Sequence, residues 1–328
     1  MTDEVDDRNG PSAGQPLVSV VLPTYERAPA LQGAIDSVLD QTYDEVELIV
    51  VDGGSTDGTR AVVESVEDPH LTYVRRDSPR GVSAARNLGI DRSNGDLVAF
   101  VDADDRWRPE KLREQVSALR GSPPEYGVAY CGIGKRDGEP IARAGASGDV
   151  REDLRHLAVP TYTSTLLARR GALERVGGFD ESLPCFEDWE LCLRLSRDCA
   201  FAYVDEPLVE KGAETPGENV SADPANLAIA VDRLFARYDL PRDARARLLA
   251  DVGATYCESG GVREGRRYLA RAVRLDPTRL NPIAAYLFSL TGSDAAYGAG
   301  MGGVYAFQRR LRRFVGAGVE ASDGVIGR

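Results

Sequence analysis

The stretch LVAFVDADD, residues 97–105, decides the fold: an apolar run ends abruptly in three acidic residues within four positions. A short apolar run of this length predicts a strand that is buried on both faces of a sheet. In open α/β sheets, ligands bind at the carboxyl ends of such strands. We therefore expect Asp102 and Asp104 at a ligand site, where two carboxylates can hold a divalent cation. An acidic turn that caps the next helix is the structural alternative.

Strand-like and helical patterns alternate around this stretch. Strands are predicted at 17–22, 46–51, 71–74 and 97–101, and helices at 31–39, 59–66, 82–90 and 109–119. Four β-α repeats predict an α/β protein, with a mostly parallel sheet and helices on both faces. In the less regular part that follows, strands are predicted at 126–133, 161–168 and 200–204, a helix at 187–195 and a polar loop at 134–148.

The same patterns divide the chain into four parts. They are a disordered N-terminus (1–15), an α/β domain (16–212), a linker (213–225) and a helical C-terminal region (226–328). Residues 249–277 have the spacing of one tetratricopeptide unit, with Gly265 where that repeat prefers Ala, and predict a helical hairpin packed on the main domain. Residues 307–315, FQRRLRRFV, predict a basic amphipathic helix, which fits either a packed terminal helix or contact with a membrane surface.

Composition excludes several classes of protein. With 42% hydrophobic and 28% charged residues, the chain is an ordinary globular one, and no apolar run approaches the roughly 18 to 20 residues of a membrane span. The first residues lack the basic start and apolar stretch of a signal peptide, so we expect a cytoplasmic protein. The five cysteines are too few and too scattered for a disulfide framework, and are expected to be reduced packing residues.

The charge is uneven along the chain. The net charge is −12, and only three of the 40 basic residues are lysines, which favours a haloarchaeal source with a salt-rich cytosol. Residues 233–328 carry 16 arginines and 9 acidic residues, so the acidic excess lies in the first part of the chain. This asymmetry argues against nucleic acid as a partner of the main domain. The basic end can contact an anionic membrane or dock on the acidic domain.

The other predicted strands also end in informative residues. The first strand runs into PTYER, residues 23–27, which lacks the glycines of a dinucleotide site or of a sugar-nucleotide pyrophosphorylase. The second ends in VDGGSTDGT, residues 51–59, where Asp52 can accept a hydrogen bond from a nucleobase or can belong to an ordinary turn. Arg86 lies on a helix of small residues, and can bind an anion or remain a surface charge.

Taken in order, five segments resemble inverting glycosyltransferases of family 2. They are LPTYER (22–27), VDGGSTDGT (51–59), SAARNLG (83–89), VAFVDADDRW (98–107) and GGFDESLPCFEDWEL (177–191). The resemblance covers about residues 16–212 and implies a glycosyltransferase catalytic domain with the GT-A fold of nucleotide-diphospho-sugar transferases. It also implies that a nucleotide-binding set lies near the strand ends. That set is Pro23, Tyr25, Glu26, Asp52, Arg86 and Asp102.

The resemblance assigns the remaining site residues as well. It implies that Asp104 binds Mg²⁺ or Mn²⁺ and that Asp188 is the catalytic base, with a helix cap as the structural alternative for Asp188. Asp105, Glu187 and Trp189 are candidate contacts for donor or acceptor, although a core position is an alternative for Trp189.

Of three further side chains that the sequence draws attention to, one is a candidate. His70 is expected at the surface and Trp107 in the core. His156 is the histidine that could reach the pocket, as a late histidine does in some GT-A enzymes.

The expected activity is transfer of a sugar from a nucleotide-diphosphate donor, UDP first, to a hydroxyl of a glycan or of a polyprenol- or dolichol-linked glycan. Such a reaction belongs to surface glycan assembly or protein N-glycosylation, on the cytoplasmic side of a membrane that the chain contacts peripherally. A cation would stabilise the leaving diphosphate, and a carboxylate would take the proton of the acceptor hydroxyl. A noncatalytic nucleotide-sugar or glycan-binding protein and a nucleotidyltransferase are the alternatives.

Overall fold

The computed structural model describes residues 14–136, 140–142, 145–212, 222–293 and 295–302. The first half of the chain alternates strands and helices, as predicted. Its elements are β1 (Val18–Thr24), α1 (Ala28–Leu39), β2 (Val46–Asp52), α2 (Thr59–Glu64), β3 (Leu71–Arg75), α3 (Val82–Arg92) and β4 (Leu97–Phe100). Every residue of β1 is buried, because helices cover both faces of the sheet at this point.

The second half is less regular. Its elements are β5 (Arg106–Trp107), α4 (Lys111–Gly121), β6 (Tyr126–Lys135), β7 (Pro140–Ala142), α5 (Arg151–Arg155), a 3₁₀ turn (Thr163–Thr165), β8 (Leu167–Arg169), α6 (Arg170–Val176), α7 (Glu187–Leu195) and β9 (Ala200–Lys211). Only the last two residues of the strand predicted at 161–168 lie in a strand, the short β8, and a 3₁₀ turn precedes it. The strand predicted to end at residue 204 continues to Lys211, and β7 lies inside the predicted loop.

The strands form one nine-stranded sheet in the order β3-β2-β1-β4-β8-β6-β9-β5, with β7 paired to β6. The first four strands are parallel, whereas β8 enters antiparallel between β4 and β6. Thr24 of β1 pairs with Asp52, and the Val101 amide donates to the Val21 carbonyl. The carboxyl ends of β1, β2 and β4 therefore meet at one edge of the sheet, and the predicted fold class is confirmed.

Alternate residues of each strand contact different helix layers. Val20 and Leu22 of β1 pack in a core with α1, α2 and α4, whereas Val21 packs in a core with α3, α6, α7 and the C-terminal helices. Complete burial of such a side chain contributes about 1.5 to 3 kcal/mol. Two apolar layers thus hold the strand ends in place.

The C-terminal region is helical, as predicted. It contains α8 (Pro224–Arg237), α9 (Arg242–Glu258), α10 (Val262–Leu275), α11 (Leu280–Ser289) and the helical residues 295–302. Side chains of α8 and α9 share a core with the sheet. The limits of the catalytic domain, at 16 and 212, and of the linker, at 213 and 225, stay predictions. Residues 307–315, and most of the predicted N-terminus and linker, lie outside the described residues.

The α9–α10 hairpin explains the glycine that departs from the tetratricopeptide pattern. A Cβ on Gly265 would lie 2.5 Å from both the Cys257 Sγ and the Gly253 carbonyl oxygen. The two helices cross too closely for the alanine that the repeat prefers. None of the helices in the described ranges combines the length and the apolar composition that a membrane span requires.

Candidate active site

Asp52, at the end of β2, is held entirely by nearby residues. Its Oδ1 accepts bonds from the Gly54 amide (3.1 Å), the Ser55 amide (2.9 Å) and the Ser55 hydroxyl (2.7 Å). Its Oδ2 accepts a bond from the Tyr73 hydroxyl at 2.6 Å, and Arg75 lies 3.6 Å away. Burial raises the pKa of Asp52, but the bonds from Ser55 and Tyr73 outweigh burial, and the pKa is lowered overall. The carboxylate is ionised and completely buried.

The end of β1 places Tyr25 beside this loop. Tyr25 is 49% exposed, and a Cβ on Gly53 would lie 3.4 Å from its ring, so the glycine leaves room for the aromatic side chain. Glu26 adopts a φ of 52° and accepts bonds from the Thr56 amide and hydroxyl at 2.8 and 2.9 Å. Pro23 is buried within β1. An exposed aromatic ring against a tight turn offers a surface on which a nucleobase can stack.

Arg86, on α3, connects two parts of the site that are far apart in sequence. It is 3% exposed and donates to Asp102 Oδ1 at 2.7 Å and to Glu187 Oε1 at 2.8 Å. Its guanidinium also lies 5.2 Å from the centre of the Phe179 ring. Burial lowers the pKa of Arg86, but Asp102 and Glu187 outweigh burial and keep it charged. This bridge of Asp102, Arg86 and Glu187 joins the end of β4 to the start of α7.

Asn87 fixes the loop that precedes α7. Its side chain accepts a bond from the Phe179 amide at 2.8 Å and donates to the Phe179 carbonyl at 3.0 Å. Gly178 has a φ of 69°, and a Cβ there would lie 2.5 Å from the Asn87 Oδ1. The segments SAARNLG and GGFDESLPCFEDWEL are thus in direct contact, and glycine is required at residue 178.

The acidic loop after β4 contains carboxylates in different environments. Asp102 is 39% exposed, whereas Asp105 is 6% exposed and accepts bonds from the Ser164 hydroxyl at 2.6 Å and the Gly212 amide at 2.9 Å. Both Asp105 oxygens are therefore used inside the protein, and the expected contact with donor or acceptor is not supported by this geometry.

Asp104 fits a cation ligand. Burial, followed by the neighbouring Asp102 charge, raises the pKa of Asp104, while Arg27 and Lys211 act in the opposite direction. Two half-exposed carboxylates that repel each other are hard oxygen donors of the kind that Mg²⁺ and Mn²⁺ bind. Within the described ranges, no group of three or more His, Cys, Asp or Glu side chains could hold a metal ion. A cation at Asp102 and Asp104 therefore needs further ligands from a bound molecule or from water.

Asp188 lies in the first turn of α7, beside Glu187. Its Oδ1 accepts a bond from the Trp189 amide at 2.7 Å, within the first turn of the helix, whereas the N-cap position belongs to Phe186. Among the described residues, its Oδ2 accepts no hydrogen bond. Burial and then Glu187 raise the pKa of Asp188 well above its ordinary value, although Arg86 opposes this. The residue before the helix, Phe186, has a φ of 62°, a strained conformation of the kind found at functional sites.

Two candidates from the sequence are placed elsewhere. Trp189 is 2% exposed, and its indole N–H donates to the Leu154 carbonyl, so it is a core residue with no ring face for an acceptor. His156 lies 2.7 Å from Asp243 of α9 and does not join the pocket. His70 is exposed and Trp107 is buried, as predicted. The five cysteines are reduced.

Sequence reasoning missed several residues that shape the site. Tyr73 and Ser55 hold Asp52, Asn87 holds the loop before α7, and Ser164 and Gly212 hold Asp105. Ser55 and Asn87 lie inside the quoted segments, next to residues that were singled out. Ser164 carries no signal in the sequence, because its role depends on strand pairings across the sheet.

Residues 19–177, just under half of the chain, match the family model of glycosyl transferase family 2. The putative teichuronic acid biosynthesis glycosyltransferase TuaG of Bacillus subtilis (strain 168) is 34% identical over 131 residues, 39% of this chain and 51% of TuaG. The UDP-Glc:alpha-D-GlcNAc-diphosphoundecaprenol beta-1,3-glucosyltransferase WfgD of Escherichia coli is 36% identical over 103 residues, 31% of this chain and 41% of WfgD. The chain thus spans less than two thirds of either relative, and Asp188 lies beyond the family match.

Solved structures show the same fold. S. aureus TarS 1–349, in complex with UDP-GlcNAc, superposes with a TM-score of 0.58 at 16% identity, over 86% of this chain and 89% of TarS 1–349. The mannosyltransferase PcManGT from Pyrobaculum calidifontis, in complex with GDP-Man and Mn²⁺, gives a TM-score of 0.57 at 22% identity, over 88% and 87% of the two chains. The chain therefore has the GT-A fold, followed by a C-terminal helical region.

Proposed function

We propose that the chain, in which residues 19–177 match the glycosyltransferase family 2 model, transfers a sugar from a nucleoside diphosphate to a hydroxyl group of a glycan, with inversion at the anomeric carbon. The observation that carries this proposal is the buried bridge of Asp102, Arg86 and Glu187. It brings the acidic loop after β4 next to Asp188 on α7. A candidate site for the diphosphate thereby adjoins a candidate base.

The nucleotide is proposed to lie along the strand ends from Tyr25 to Asp102. Tyr25 follows β1, and Asp102 follows β4. The two neighbours of β1, β2 and β4, are separated by two interstrand spacings, roughly 10 Å. The exposed Tyr25 ring and Gly53 form the surface for the base. Asp52 has no exposed surface, so a direct bond to the base requires a shift of the loop that follows β2. Pro23, Glu26, Arg86 and the ribose contact of Asp102 complete the proposed nucleotide site.

Asp104, with Asp102 beside it, would hold Mg²⁺ or Mn²⁺, and the bound cation would offset the charge that develops on the leaving diphosphate. Asp188 Oδ2 takes the proton of the acceptor hydroxyl as its oxygen bonds to the anomeric carbon. The bond from that carbon to the diphosphate oxygen breaks on the opposite face, so the configuration inverts. The raised pKa of Asp188 makes it a stronger base than an ordinary carboxylate. Arg86 keeps Glu187 in place beside it.

A screen of UDP-, GDP- and dTDP-sugars, with Mn²⁺ or with EDTA, tests this proposal. We expect release of a nucleoside diphosphate that requires a divalent cation, with UDP as the first candidate because TarS was solved with UDP-GlcNAc. GDP-sugars are the second candidate, because PcManGT was solved with GDP-Man. Release of pyrophosphate would indicate a nucleotidyltransferase. Donor binding without turnover, unchanged in an Asp188→Asn variant, would indicate a binding protein.

The acceptor is proposed to be a glycan on a polyprenol or dolichol carrier, for surface glycan assembly or protein N-glycosylation at the cytoplasmic face of the membrane. The name of WfgD includes a diphosphoundecaprenol acceptor, and that of TuaG includes teichuronic acid biosynthesis. The surface of α10 supports peripheral contact with an anionic membrane. It carries four exposed arginines at helical spacing on one face: Arg263, Arg267, Arg271 and Arg274.

Flotation with anionic vesicles tests the membrane contact. We expect binding that falls with added salt and that is weakened by replacement of the four α10 arginines with glutamine. A matched control replaces four exposed arginines on other elements. They are Arg92, Arg113, Arg120 and Arg197. An equal loss in both variants would indicate an effect of net charge alone, and no flotation of the intact chain would reject the contact.

We also propose a salt-rich cytosol, and thus a haloarchaeal source, from the net charge of −12 and the three lysines. High salt screens the repulsion between the surface carboxylates. The melting temperature is therefore expected to rise steadily as KCl increases into the molar range. A melting temperature that is already maximal in dilute buffer would reject this proposal.

A further inference from the structure

Ser164 connects the acidic loop to the interior of the sheet. It lies in the 3₁₀ turn before β8 and is 1% exposed. Its Oγ accepts a bond from the Asp102 amide at 3.0 Å and donates to Asp105 Oδ2 at 2.6 Å. Its carbonyl accepts a bond from the Trp107 indole N–H at 3.0 Å. One residue thus contacts both ends of the turn that carries Asp104.

Asp105 completes this arrangement from the other side. Its Oδ1 accepts a bond from the Gly212 amide at 2.9 Å, just beyond the end of β9, and its own amide donates to the Asp102 carbonyl at 3.0 Å. A Cβ on Gly212 would lie 2.2 Å from the Asp104 carbonyl oxygen, so the chain after β9 lies directly against the loop. We call Ser164 and Asp105 the bracket.

The loop needs such a restraint because three carboxylates repel each other within four residues. Asp102 and Asp105 lie on either side of Asp104, and like charges at such short range raise the energy of the loop. Without the bracket, repulsion favours rotation of the loop and separation of Asp102 from Asp104. With it, the backbone on both sides of Asp104 is bonded to buried partners. The backbone that carries Asp102 and Asp104, both partly exposed, is then restrained in the absence of any ligand.

We propose that Ser164 is a positioning residue which, through the Asp102 amide and Asp105, sets the Asp102 and Asp104 carboxylates for a divalent cation and the diphosphate that accompanies it. This inference rests on the proposed function and deepens its description of the same site. In this proposal, Asp105 holds the loop in place through its bonds to Ser164 and Gly212 and does not bind the cation. Preorganisation of this kind lowers the cost of binding, because the ligands need no rearrangement.

The test compares Ser164→Ala with Ser289→Ala, which removes another fully buried serine hydroxyl, on α11, that donates to the Tyr286 carbonyl. Binding of Mn²⁺ alone is measured by electron paramagnetic resonance. Binding of UDP and GDP is measured by calorimetry in Mn²⁺ and in EDTA. Because two buried polar groups lose a partner, we expect Ser164→Ala to weaken Mn²⁺ binding about tenfold or more. Nucleotide affinity in EDTA should stay within about twofold, since the base surface lies on other strands.

Ser164→Thr keeps the hydroxyl and should restore most of the Mn²⁺ affinity. A purely structural role would instead lower nucleotide affinity equally in Mn²⁺ and in EDTA, or leave both unchanged, and either result would overturn the inference. The Ser289→Ala control should bind Mn²⁺ and nucleotides as the parent chain does.

Asp105→Asn keeps the proposal testable if Ser164→Ala fails to fold. The amide can still accept a bond from Gly212 and can donate one to the Ser164 Oγ. If Asp105 only holds the loop in place, the variant should bind Mn²⁺ with an affinity within about threefold of the parent. A loss of more than about tenfold would indicate that Asp105 is itself a ligand and would contradict the proposal.

A parent chain that binds Mn²⁺ but no nucleoside diphosphate would overturn the proposed function. The comparison of Mn²⁺ affinity between the parent chain and Ser164→Ala would then still test whether the bracket positions the loop. A parent chain that binds neither would overturn both.

Discussion

Asp52 and Asp188 differ in how the protein surrounds their charge. Asp52, at the end of β2, is stabilised as an anion by four donors, and its pKa is lowered despite complete burial. Asp188, in the first turn of α7, receives one bond from the described part of the chain, that of the next amide, and its pKa is raised by burial and by Glu187. The first carboxylate is stabilised in its ionised form, whereas the second is the stronger base.

The difference follows from where the neighbours come from. All four donors to Asp52 lie on the loop that follows it and on the adjacent β3, so the β2–β3 region satisfies its own charge. The surroundings of Asp188 are assembled from α3, the loop after β4 and the loop before α7. A buried carboxylate with a raised pKa costs stability and marks a candidate for proton transfer. Each prediction below tests whether the two regions differ in this way.

Replacement of Asp188 by Asn should give the largest effect, a loss of about 10² to 10⁴-fold in kcat. The amide keeps the shape and the bond from Trp189 but cannot take a proton. Initial rates of nucleoside diphosphate release with the donor identified in the screen provide the measurement. Donor affinity should be unchanged, because the nucleotide is proposed to lie at the ends of β1, β2 and β4 and not at α7.

The matched control for this variant is Asp198→Asn, an exposed carboxylate just beyond the end of the same helix. It should retain full activity. If Asp188→Asn were as active as the control, Asp188 would be only a helix cap, and the contrast with Asp52 would have no catalytic meaning.

Replacement of Arg86 by Met should lower the free energy of unfolding by about 2 to 3 kcal/mol, because Asp102 and Glu187 lose their shared partner beside a buried guanidinium. The estimate lies below that for a fully buried pair, since Asp102 is 39% exposed. Urea unfolding measures the change. Arg113→Met removes an exposed pair with Glu114 and should change stability by less than about 0.5 kcal/mol. Equal effects would mean that the bridge does not hold the two halves of the site together.

Relative to the parent chain, Asp52→Asn should lower the stability of the fold and Asp188→Asn should raise it, and both changes should shrink as the pH falls. Because the folded-state pKa of Asp52 is lowered, its contribution is complete above the unfolded pKa of about 3.9 and is lost as pH falls through the folded value. Asp52→Asn should therefore cost about 2 kcal/mol, nearly constant from neutral pH down to about pH 5. Because the pKa of Asp188 is raised, its ionised form destabilises the fold, and that cost disappears as pH falls through the raised value.

Asp188→Asn should thus melt at a higher temperature than the parent chain in mildly alkaline buffer, with a gain that shrinks as pH is lowered toward 4. Thermal melts across this range check both variants together. A destabilised Asp188→Asn at alkaline pH would show that the carboxylate is stabilised as an anion, as in Asp52, and would remove the distinction between the two regions.

The Asp52 region could largely be predicted from the sequence, and the Asp188 region could not. Short apolar runs give β1, β2 and β4, and Asp52 and Ser55 lie three residues apart, so local spacing brings them together. The surroundings of Asp188 depend on contacts such as the bond between Asn87 and Phe179, 92 residues apart. Hydrophobic periodicity carries no information on such pairings.

Two side chains that the sequence suggested as ligand contacts point into the protein, and they show the same limit. Trp189 follows an acidic pair at the start of a helix, which suggested a ligand contact, but the turn of α7 directs it into the core. Asp105 belongs to the same acidic run as Asp104, yet the approach of the chain after β9 turns it inward. Neither direction can be deduced from spacing along the chain, because each is set by an element that arrives from a distant part of the sequence.

The smallest expected effect comes from Tyr73→Phe, which removes one of the four donors to Asp52. The bond joins a hydroxyl to a buried charge at 2.6 Å, so its loss should cost about 1.5 kcal/mol of unfolding free energy. Tyr126→Phe, which removes a hydroxyl that makes no hydrogen bond among the described residues, should be neutral. Because three donors from the loop remain, Asp52 should stay ionised and nucleotide affinity should fall by less than about threefold. A larger loss of affinity than of stability would show that Tyr73 itself contacts the nucleotide. The β2–β3 region would then bind the ligand directly, in addition to keeping Asp52 ionised.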